Sequence, residues 1–534
     1  MARARIALLA ALAACAPERV AGDDDDGGPC EPGAAVCRDG VSSVCKPDGS
    51  GWVDEYCDPV QGLGCDIDTG VCGGECSKAS LGDSYIGCDY YATVTGNHVH
   101  SNSFQFAVVI SNTSEQPARV QIDGGALTES VVLDVAARSV EVRELPWVAL
   151  LKACINEWDP DPFLGEQCGS AKVKGALEVD GAYHVRSDRP VTVYQFSPLD
   201  FVTPGGGSHS YTNDASLLIP SNAMGDEYYV AAWPAWDTGA FVQPGFAAVT
   251  ATWDRTEVTI TTTANTEADN FAPAFEAGVP QTVVLDRGDV LQLMNFEGDL
   301  TGTHVVADRP IQVMGGHYCT QVPIGVAACD HLEESMLPLH TLGNYYIVTA
   351  PALPAMPDGK PQVVRVVAAR DDTRVEFEPN VAPATTLALA GDFIEIPSAV
   401  DFEVRASHRV QVSQYMMGLE AGGGSGDPAM AIAVDRQQFR RDYQFHAPLS
   451  YDVNYVNIVA PTGARVELDG TAVAELAPVG SGEFSVARVV LGPGTDGDHV
   501  ITGDDPFGIT VYGYGAYTSY WYPGGLDLRP IVIP

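Results

Sequence analysis

Residues 187–193 read S-D-R-P-V-T-V, and residues 307–313 read A-D-R-P-I-Q-V. Looser versions follow at 406–412 (A-S-H-R-V-Q-V) and 503–507 (G-D-D-P-F). Three of the four come after a glycine-bearing stretch that ends in an apolar run: G-A-Y-H-V, G-T-H-V-V and G-D-H-V-I. A phrase that returns at long intervals marks one supersecondary plan used several times. Proline fixes φ and has no N–H to donate, so it suits a strand's first position or an edge, and an aspartate just ahead of it suits a turn. The phrase therefore reads as a strand, a D-R-P turn and a second strand, four times over.

Around these phrases the chain alternates apolar and polar residues, as in F-Q-F-A-V-V-I (104–110), F-A-A-V-T-A-T-W (246–253), R-V-E-F-E (374–378) and Y-V-N-I-V-A (455–460). Period-two patterning in Val, Ile, Thr, Tyr and Phe, bounded by Gly, Pro, Asn and Asp, predicts strands with one face buried. A related step recurs in each unit: Ala118-Arg119-Val120, Thr256-Glu257-Val258, Thr373-Arg374-Val375 and Ala464-Arg465-Val466. L-D-R-G-D-V-L-Q-L (285–293) and L-A-G-D-F-I-E-I (389–396) add a further strand. Only M-L-P-L-H-T-L-G (336–343) and Q-Q-F-R-R-D-Y (437–443) could hold a turn of helix. The prediction is an all-β chain of tandem β-sandwich-like units at 88–200, 201–318, 319–420 and 421–534. A large-bladed β-propeller is the alternative, although a blade of about 40–50 residues is shorter than this repeat.

The 534 residues are 46% hydrophobic, enough for each unit to bury a core, and 55 glycines with 36 prolines fit many short strands joined by tight turns. With 29 basic and 70 acidic residues the net charge is −41, which repels phosphate backbones and argues against nucleic acid as a partner. M-A-R-A-R followed by I-A-L-L-A-A-L-A-A (6–14) is a signal peptide, residues 1–14, too short to span a bilayer. Leu12-Ala13-Ala14-Cys15 resembles a bacterial lipobox, which implies cleavage before Cys15 and lipid attachment to it. The alternative is an ordinary signal peptide with Cys15 incidental. Residues 15–29, with four consecutive aspartates, form a solvated tether. The expected location is the bacterial outer membrane or cell surface, with membrane contact through the acyl anchor alone.

Thirteen cysteines leave one unpaired in an exported protein; with Cys15 as lipid carrier the rest can all pair. Cys30, Cys37, Cys45, Cys57, Cys65, Cys72, Cys76 and Cys88 crowd into a stretch too short and too poor in aliphatic residues to hold by burial. Residues 30–87 are accordingly a small disulfide module, with its connectivity open. His317-Tyr318-Cys319 and Cys329-Asp330-His331 mirror each other. They read either as a Cys2His2 zinc site or as a disulfide closing a hairpin loop, and an oxidising compartment favours the disulfide. Cys154 and Cys168 close a second loop, whose Glu157, Asp159, Asp161 and Glu166 are either exposed acids or calcium ligands.

No catalytic residue is nominated. G-G-G-S-G-D (422–427) does not fit a nucleophile elbow, and Ser208 beside His209 sits in a glycine-rich loop. No phosphate loop, dinucleotide fingerprint or H-E-x-x-H is present, so no metal or cofactor is expected. The irregular stretches 201–220, 319–331 and 421–428 are where a rigid β scaffold would bind a partner. In 509–525, five tyrosines and Trp521 read either as a strand packed on the preceding unit or as an exposed aromatic ladder.

N-D-A-S-L-L-I-P (213–220), G-T-H-V-V-A-D-R-P-I-Q-V (302–313) and C-D-H-L-E-E (329–334) resemble the N-terminal region of the IgG Fc-binding protein family, over roughly residues 88–534. That family's characterised animal member also carries von Willebrand D domains with C-G-L-C-G motifs, which this sequence lacks. The family name implies immunoglobulin binding; no residue here is assigned to it. The resulting expectation is an extracellular binding or adhesion lipoprotein, not an enzyme, for a protein or glycan partner. A structural envelope component and a secreted hydrolase with a site between units are the competing classes.

Overall fold

A computed structural model describes residues 30–99, 104–153, 175–474 and 476–533. The chain divides into two bodies, one formed by residues up to Cys57 with Gly64–Gly73 and the other by Asp58–Leu63 with Gly74–Pro534. Cys15, Cys154, Cys168 and the acidic residues between the last two lie outside the described residues.

The smaller body is a three-stranded antiparallel sheet (Ala35–Arg38, Val41–Cys45, Trp52–Tyr56) and a two-residue hairpin pair, Gly64–Cys65 with Cys72–Gly73. Its bridges are Cys30–Cys45, Cys37–Cys65 and Cys57–Cys72. They interleave, so each closed loop constrains the next. The fourth bridge, Cys76–Cys88, belongs to the larger body.

The larger body repeats one seven-strand plan four times. First strands are Gly87–Ala92, Gly225–Tyr229, Tyr345–Val348 and Arg440–His446. Second strands are Phe106–Asn112, Gly245–Ala251, Gln362–Ala368 and Val453–Pro461. The sixth strand is long: Tyr183–Phe196, His304–Thr320 and Asp498–Gly515 in three units, and Phe402–Ala406 plus Val410–Met416 in the third. Its front half pairs with the first and third strands, its rear half with the second and seventh. One strand thus serves both sheets of a sandwich. In the third unit, where the strand is cut, the two four-stranded sheets separate.

D-R-P is not a turn. It lies within the long strand, at the register shift between Arg186 and Val191 and at the equivalent shifts opposite Gly225–Glu227 and Arg440–Asp442. A bulge leaves residues unpaired and bends a strand, which is where a proline without an N–H costs least. The aspartate then reaches across rather than along. Asp188 accepts the Arg119 N–H (2.8 Å), Asp308 that of Glu257 (2.9 Å) and Asp504 that of Arg465 (2.8 Å); Ser407 does the same for Arg374 (2.9 Å). The donors are the middle residues of the recurring A-R-V and T-E-V steps. Bulge and step are two halves of one clamp.

A second clamp was not read from the sequence. Tyr90, Tyr228 and Tyr346, all on first strands, donate their hydroxyls to the carbonyls of Val191, Ile311 and Val410 at 2.7 Å, and Tyr443 does so to Phe507. Each acceptor is the first residue of the rear half of the long strand. The signal was present as G-x-x-Y, in G-C-D-Y (87–90), G-D-E-Y (225–228) and G-N-Y-Y (343–346), with R-R-D-Y (440–443) as the frayed copy.

The third strand Thr373–Glu378 alternates buried and exposed residues as expected, but the second strands Phe106–Asn112, Gly245–Ala251 and Gln362–Ala368 are buried throughout. One face meets the unit's own second sheet and the other meets a neighbouring unit, so the alternation disappears. Neighbours are joined by polar contacts as well. Gln312 donates to the Tyr91 carbonyl at 2.7 Å. Arg365 reaches the Ala232 carbonyl and Asp299, both at 2.9 Å, and stacks on Trp233. Arg488 reaches the Ala350 carbonyl at 3.0 Å. Gly302 and Gly391 meet back to back at φ 87° and 88°, where a Cβ on Gly302 would stand 2.2 Å from the Gly391 oxygen. The 3₁₀ turn Leu339–Thr341 falls within 336–343, where a helical turn was expected; of 437–443 only Gln437 and Gln438 are in such a turn, and Arg440–Tyr443 is strand.

Sheet membership continues past 200, 318 and 420. Ala215–Leu217, Asp330–Ser335 and Met430–Ile432 each pair with the long strand before them, as does Thr518–Pro523 in the last unit. These four seventh strands touch one another in succession, the first meeting the second and the fourth, and the third meeting the second and the fourth. The four sandwiches therefore close into a circle about an axis lined by their last strands. Circular closure is shared with propellers, yet each unit here is two-sheeted.

Candidate binding face

Asp214 and Asp330 stand at the start of the first two seventh strands, and Asp427 lies three residues ahead of the third. All three are buried. Asp214 is the hub. Its Oδ1 accepts the N–H groups of Ala215 (2.9 Å) and Trp521 (3.1 Å), and its Oδ2 those of Met430 (3.0 Å) and Glu333 (3.2 Å). One carboxylate takes one backbone donor from every unit. Burial pushes its carboxyl well above the usual range, against the Met430, Glu333 and Ala215 donors, which pull it down. Asp330 accepts the Thr518 hydroxyl at 2.8 Å and the His331 N–H at 2.8 Å, and burial raises it too, with Asp427 adding to the effect.

Beside the hub, Lys360 is fully buried, and its Nζ donates to the Gly426 carbonyl at 2.7 Å. Burial lowers the Lys360 ammonium to about 7 and raises the Asp427 carboxyl to about 6, each moderated by the other's charge. Cys319 and Cys329 are bridged. Their sulfurs are thus committed to each other, and the two histidines of the mirrored motif sit behind the bridge as buried imidazoles. His317 accepts the Cys319 N–H at 3.2 Å and is lowered to about 3 by burial and by His331. His331 lies 3.3 Å from Glu333, which takes the Thr95 hydroxyl at 2.6 Å.

Above this polar layer the loops between sixth and seventh strands meet. Residues 201–213 lean on the 515–518 hairpin, where the Asn213 N–H reaches the Thr518 hydroxyl at 3.2 Å. Loop 319–329 is tied to 418–420 through Gly418 N–H to Val322 O (2.9 Å) and Glu420 N–H to Ala327 O (2.8 Å). Loop 421–428 is held from below by Lys360. All three stretches singled out in the sequence come together at one end of the axis, with the 515–518 hairpin as an unforeseen fourth member. Ser208 serves the loop's own geometry, its backbone N–H bonding the Thr203 hydroxyl at 3.0 Å.

The surface of this end is unlike the rest of the chain. Residues 197–214, 321–329, 417–429 and 515–518 contain no lysine or arginine, and their acids beyond the buried aspartates are Asp200 and Glu420. On a chain in which 19% of residues are charged this end is charge-poor, with two acids outside the buried aspartates and no cation. It carries aromatic groups. Tyr211 and Tyr517 are 51% and 52% exposed, their rings 5.5 Å apart, with His209 packed at 5.8 and 5.3 Å. Tyr512, Tyr514, Tyr520, Trp521 and Tyr522, by contrast, are buried, so the C-terminal aromatic run packs as a hairpin whose tip alone shows a ring.

The opposite end is sealed by the chain's last residues. Tyr85 N–H bonds Leu526 O, Asp527 N–H bonds Gln438 O, and Ile531 N–H bonds His340 O, at 3.2, 2.9 and 2.9 Å. The tail thereby crosses the segments that lead into three of the first strands.

Residues 214–513 match the model of a family described as IgGFc binding protein. The chain belongs to the IgGFc-binding protein family. Its matched span opens at the hub aspartate and closes within the last long strand. The human IgGFc-binding protein is 26% identical over 316 residues, which cover 58% of this chain and only 6% of the human protein. A solved tetra-tandem repeat from the extending region of a large adhesion protein aligns over 83% of this chain and 99% of that one, at 10% identity and a TM-score of 0.09. That score carries no structural argument.

Proposed function

We propose that this chain is an exported, lipid-anchored binding protein that holds an extracellular protein partner on the charge-poor end of its ring. The convergence of the three glycine-rich loops carries the reading: a rigid scaffold closed by its own tail presents irregular loops from all four units side by side. Depletion of charge together with exposed aromatic side chains is the composition of an interface core rather than of solvated surface. The family points the same way, since its human member is named for binding a protein, the Fc part of immunoglobulin G. A protein ligand is favoured over a glycan on that ground, and the anchor rests on Cys15 at the end of the apolar leader.

The test uses the full mature chain. It is immobilised and probed with purified immunoglobulin Fc, a panel of purified secreted proteins and a glycan array. Saturable binding to one or more proteins is expected. Binding confined to glycans, or none at all, would overturn the reading. In parallel, metabolic labelling with a fatty acid analogue should mark the wild type and not Cys15→Ser.

A further inference from the structure

Tyr211 and Tyr517 adopt φ values of 63° and 68°. A left-handed backbone is uncommon for any non-glycine residue and uncomfortable for a bulky aromatic one, and such conformations cluster where a surface does work. Both residues are half exposed, so burial does not account for them. They come from the first and last units, on either side of the seam where the circle closes, and they touch. His209 braces both rings and leans on Phe201, which in turn packs tilted against Tyr451 at 5.1 Å. The ridge is thus backed from below although its two residues, one in a loop and one in a hairpin turn, lie 306 positions apart, at 211 and 517.

The family match runs from 214 to 513 and stops short of both tyrosines. The matched span takes in the hub aspartate and the long strands of the second, third and fourth units, but not the ridge. We infer that the Tyr211–Tyr517 ridge is the specificity-determining contact of this chain, and that it seats in an uncharged apolar pocket on a folded protein partner. This inference rests on the proposed binding function. Large, half-exposed aromatic residues within a charge-poor patch are the usual anchors of protein interfaces, where a few residues carry most of the affinity. The absence of lysine and arginine from the surrounding loops sets the partner's character. A cationic partner would be met more strongly elsewhere on this acidic surface, so the ridge selects for a contact that charge does not drive.

The experiment takes every protein that the full chain captures from the purified secreted panel and measures its affinity for the wild type, Tyr211→Gly, Tyr517→Gly and the double variant. Glycine is at home at these φ values, so the fold should be kept, and Tyr→Asn at both positions serves as a second pair that also tolerates a left-handed backbone. Melting temperature checks each variant. A tenfold or greater loss for each single variant is expected, with wild-type affinity nearly unchanged between low and high salt. Wild-type affinity in the double variants, or an affinity that collapses with salt, would overturn the ridge while leaving the binding function standing. Capture of zwitterionic phosphatidylcholine vesicles by the ridge in place of any protein would overturn both, as would a wild type that captures nothing.

Discussion

The carboxylate of Asp214 accepts the backbone N–H of Met430 at 3.0 Å across 216 positions of sequence. It accepts Trp521 N–H as well, 307 positions away, and Glu333 N–H at 119. Contacts of such range form only when all four units are in place, which makes this residue the point where local folding becomes one cooperative ring.

Replacing Asp214 should accordingly be among the most damaging single changes in the larger body. Asp214→Asn keeps one acceptor oxygen and turns a second set of donors toward two N–H groups that already donate. The loss is expected at about 2–4 kcal/mol, since buried donors are left without partners. Asp188→Ala, which removes one acceptor at a partly exposed edge, should cost about 1 kcal/mol. Urea unfolding of the two variants checks the order. A smaller effect at Asp214 than at Asp188 would show that the hub is not what closes the ring.

The tyrosine clamps allow a cleaner comparison. Tyr228→Phe and Tyr346→Phe delete a hydroxyl and nothing else, and each leaves the carbonyl of Ile311 or Val410 without that donor. Each should lose about 1–2 kcal/mol. Because the two sites sit in different units without a shared partner, the double variant should lose close to the sum, within about 0.5 kcal/mol. A strongly non-additive result would mean that the units do not bend their long strands independently.

How far the sequence speaks is uneven. D-R-P announced four copies of one plan, and the alternation of T-R-V-E-F-E gave the strand and its buried face directly. It misled on the turn, because a bulge inside a strand and a turn between strands ask for the same residues: a proline without a donor and an aspartate with a free acceptor. Phe106–Asn112 hid its second buried face, since alternation reports one neighbour and this strand has two. The hub was visible only as a letter. Asp214 stands in a phrase quoted for its family likeness, but nothing local distinguishes an aspartate that caps its own strand from one that collects donors from three other units. Tyr517 was one ring among six in its run, and only the hairpin tip separates it from the five that are buried.

Lys360 and Asp427 set a pH dependence whose sign can be worked out. The Lys360 ammonium titrates at about 7 in the folded chain against an ordinary 10.5, so above pH 7 the unfolded chain binds the extra proton. Stability on this account is lowest at pH 7 and below, and rises between pH 7 and 10.5. Asp427, raised to about 6 from an ordinary 3.8, acts in the other window: the folded chain holds its proton longer, so stability falls as pH climbs from 3.8 to 6 and the cost is complete above that. Lys360→Met keeps the apolar stem over Tyr514 and removes the ammonium. Whatever the offset from losing the Gly426 bond and the charge beside Asp427, the wild type should gain stability between pH 7 and 10 while the variant, without the titrating ammonium, should not. A wild type and variant that run parallel from pH 7 to 10 would show that the lysine is not charged against a penalty there.

The Cys319–Cys329 bridge should matter to the loops more than to the ring. It closes a segment of 10 positions, so a Cys319→Ser/Cys329→Ser chain is expected to lose about 2–3 kcal/mol at most, and less if the hairpin register of Met314 to Ser335 holds without it. Loop 319–329 leaves Ile324 46% exposed, and its ties to 418–420 are the Gly418 and Glu420 backbone bonds with one long contact from the Ala327 N–H to the Glu420 carboxylate at 3.4 Å. Amide hydrogen exchange should therefore rise at 321–328 and 418–420 together, while the hub donors Glu333, Met430 and Trp521 stay protected. Exchange that spreads to those three amides would mean that the bridge supports the axis itself, and that the loops and the ring open as one unit.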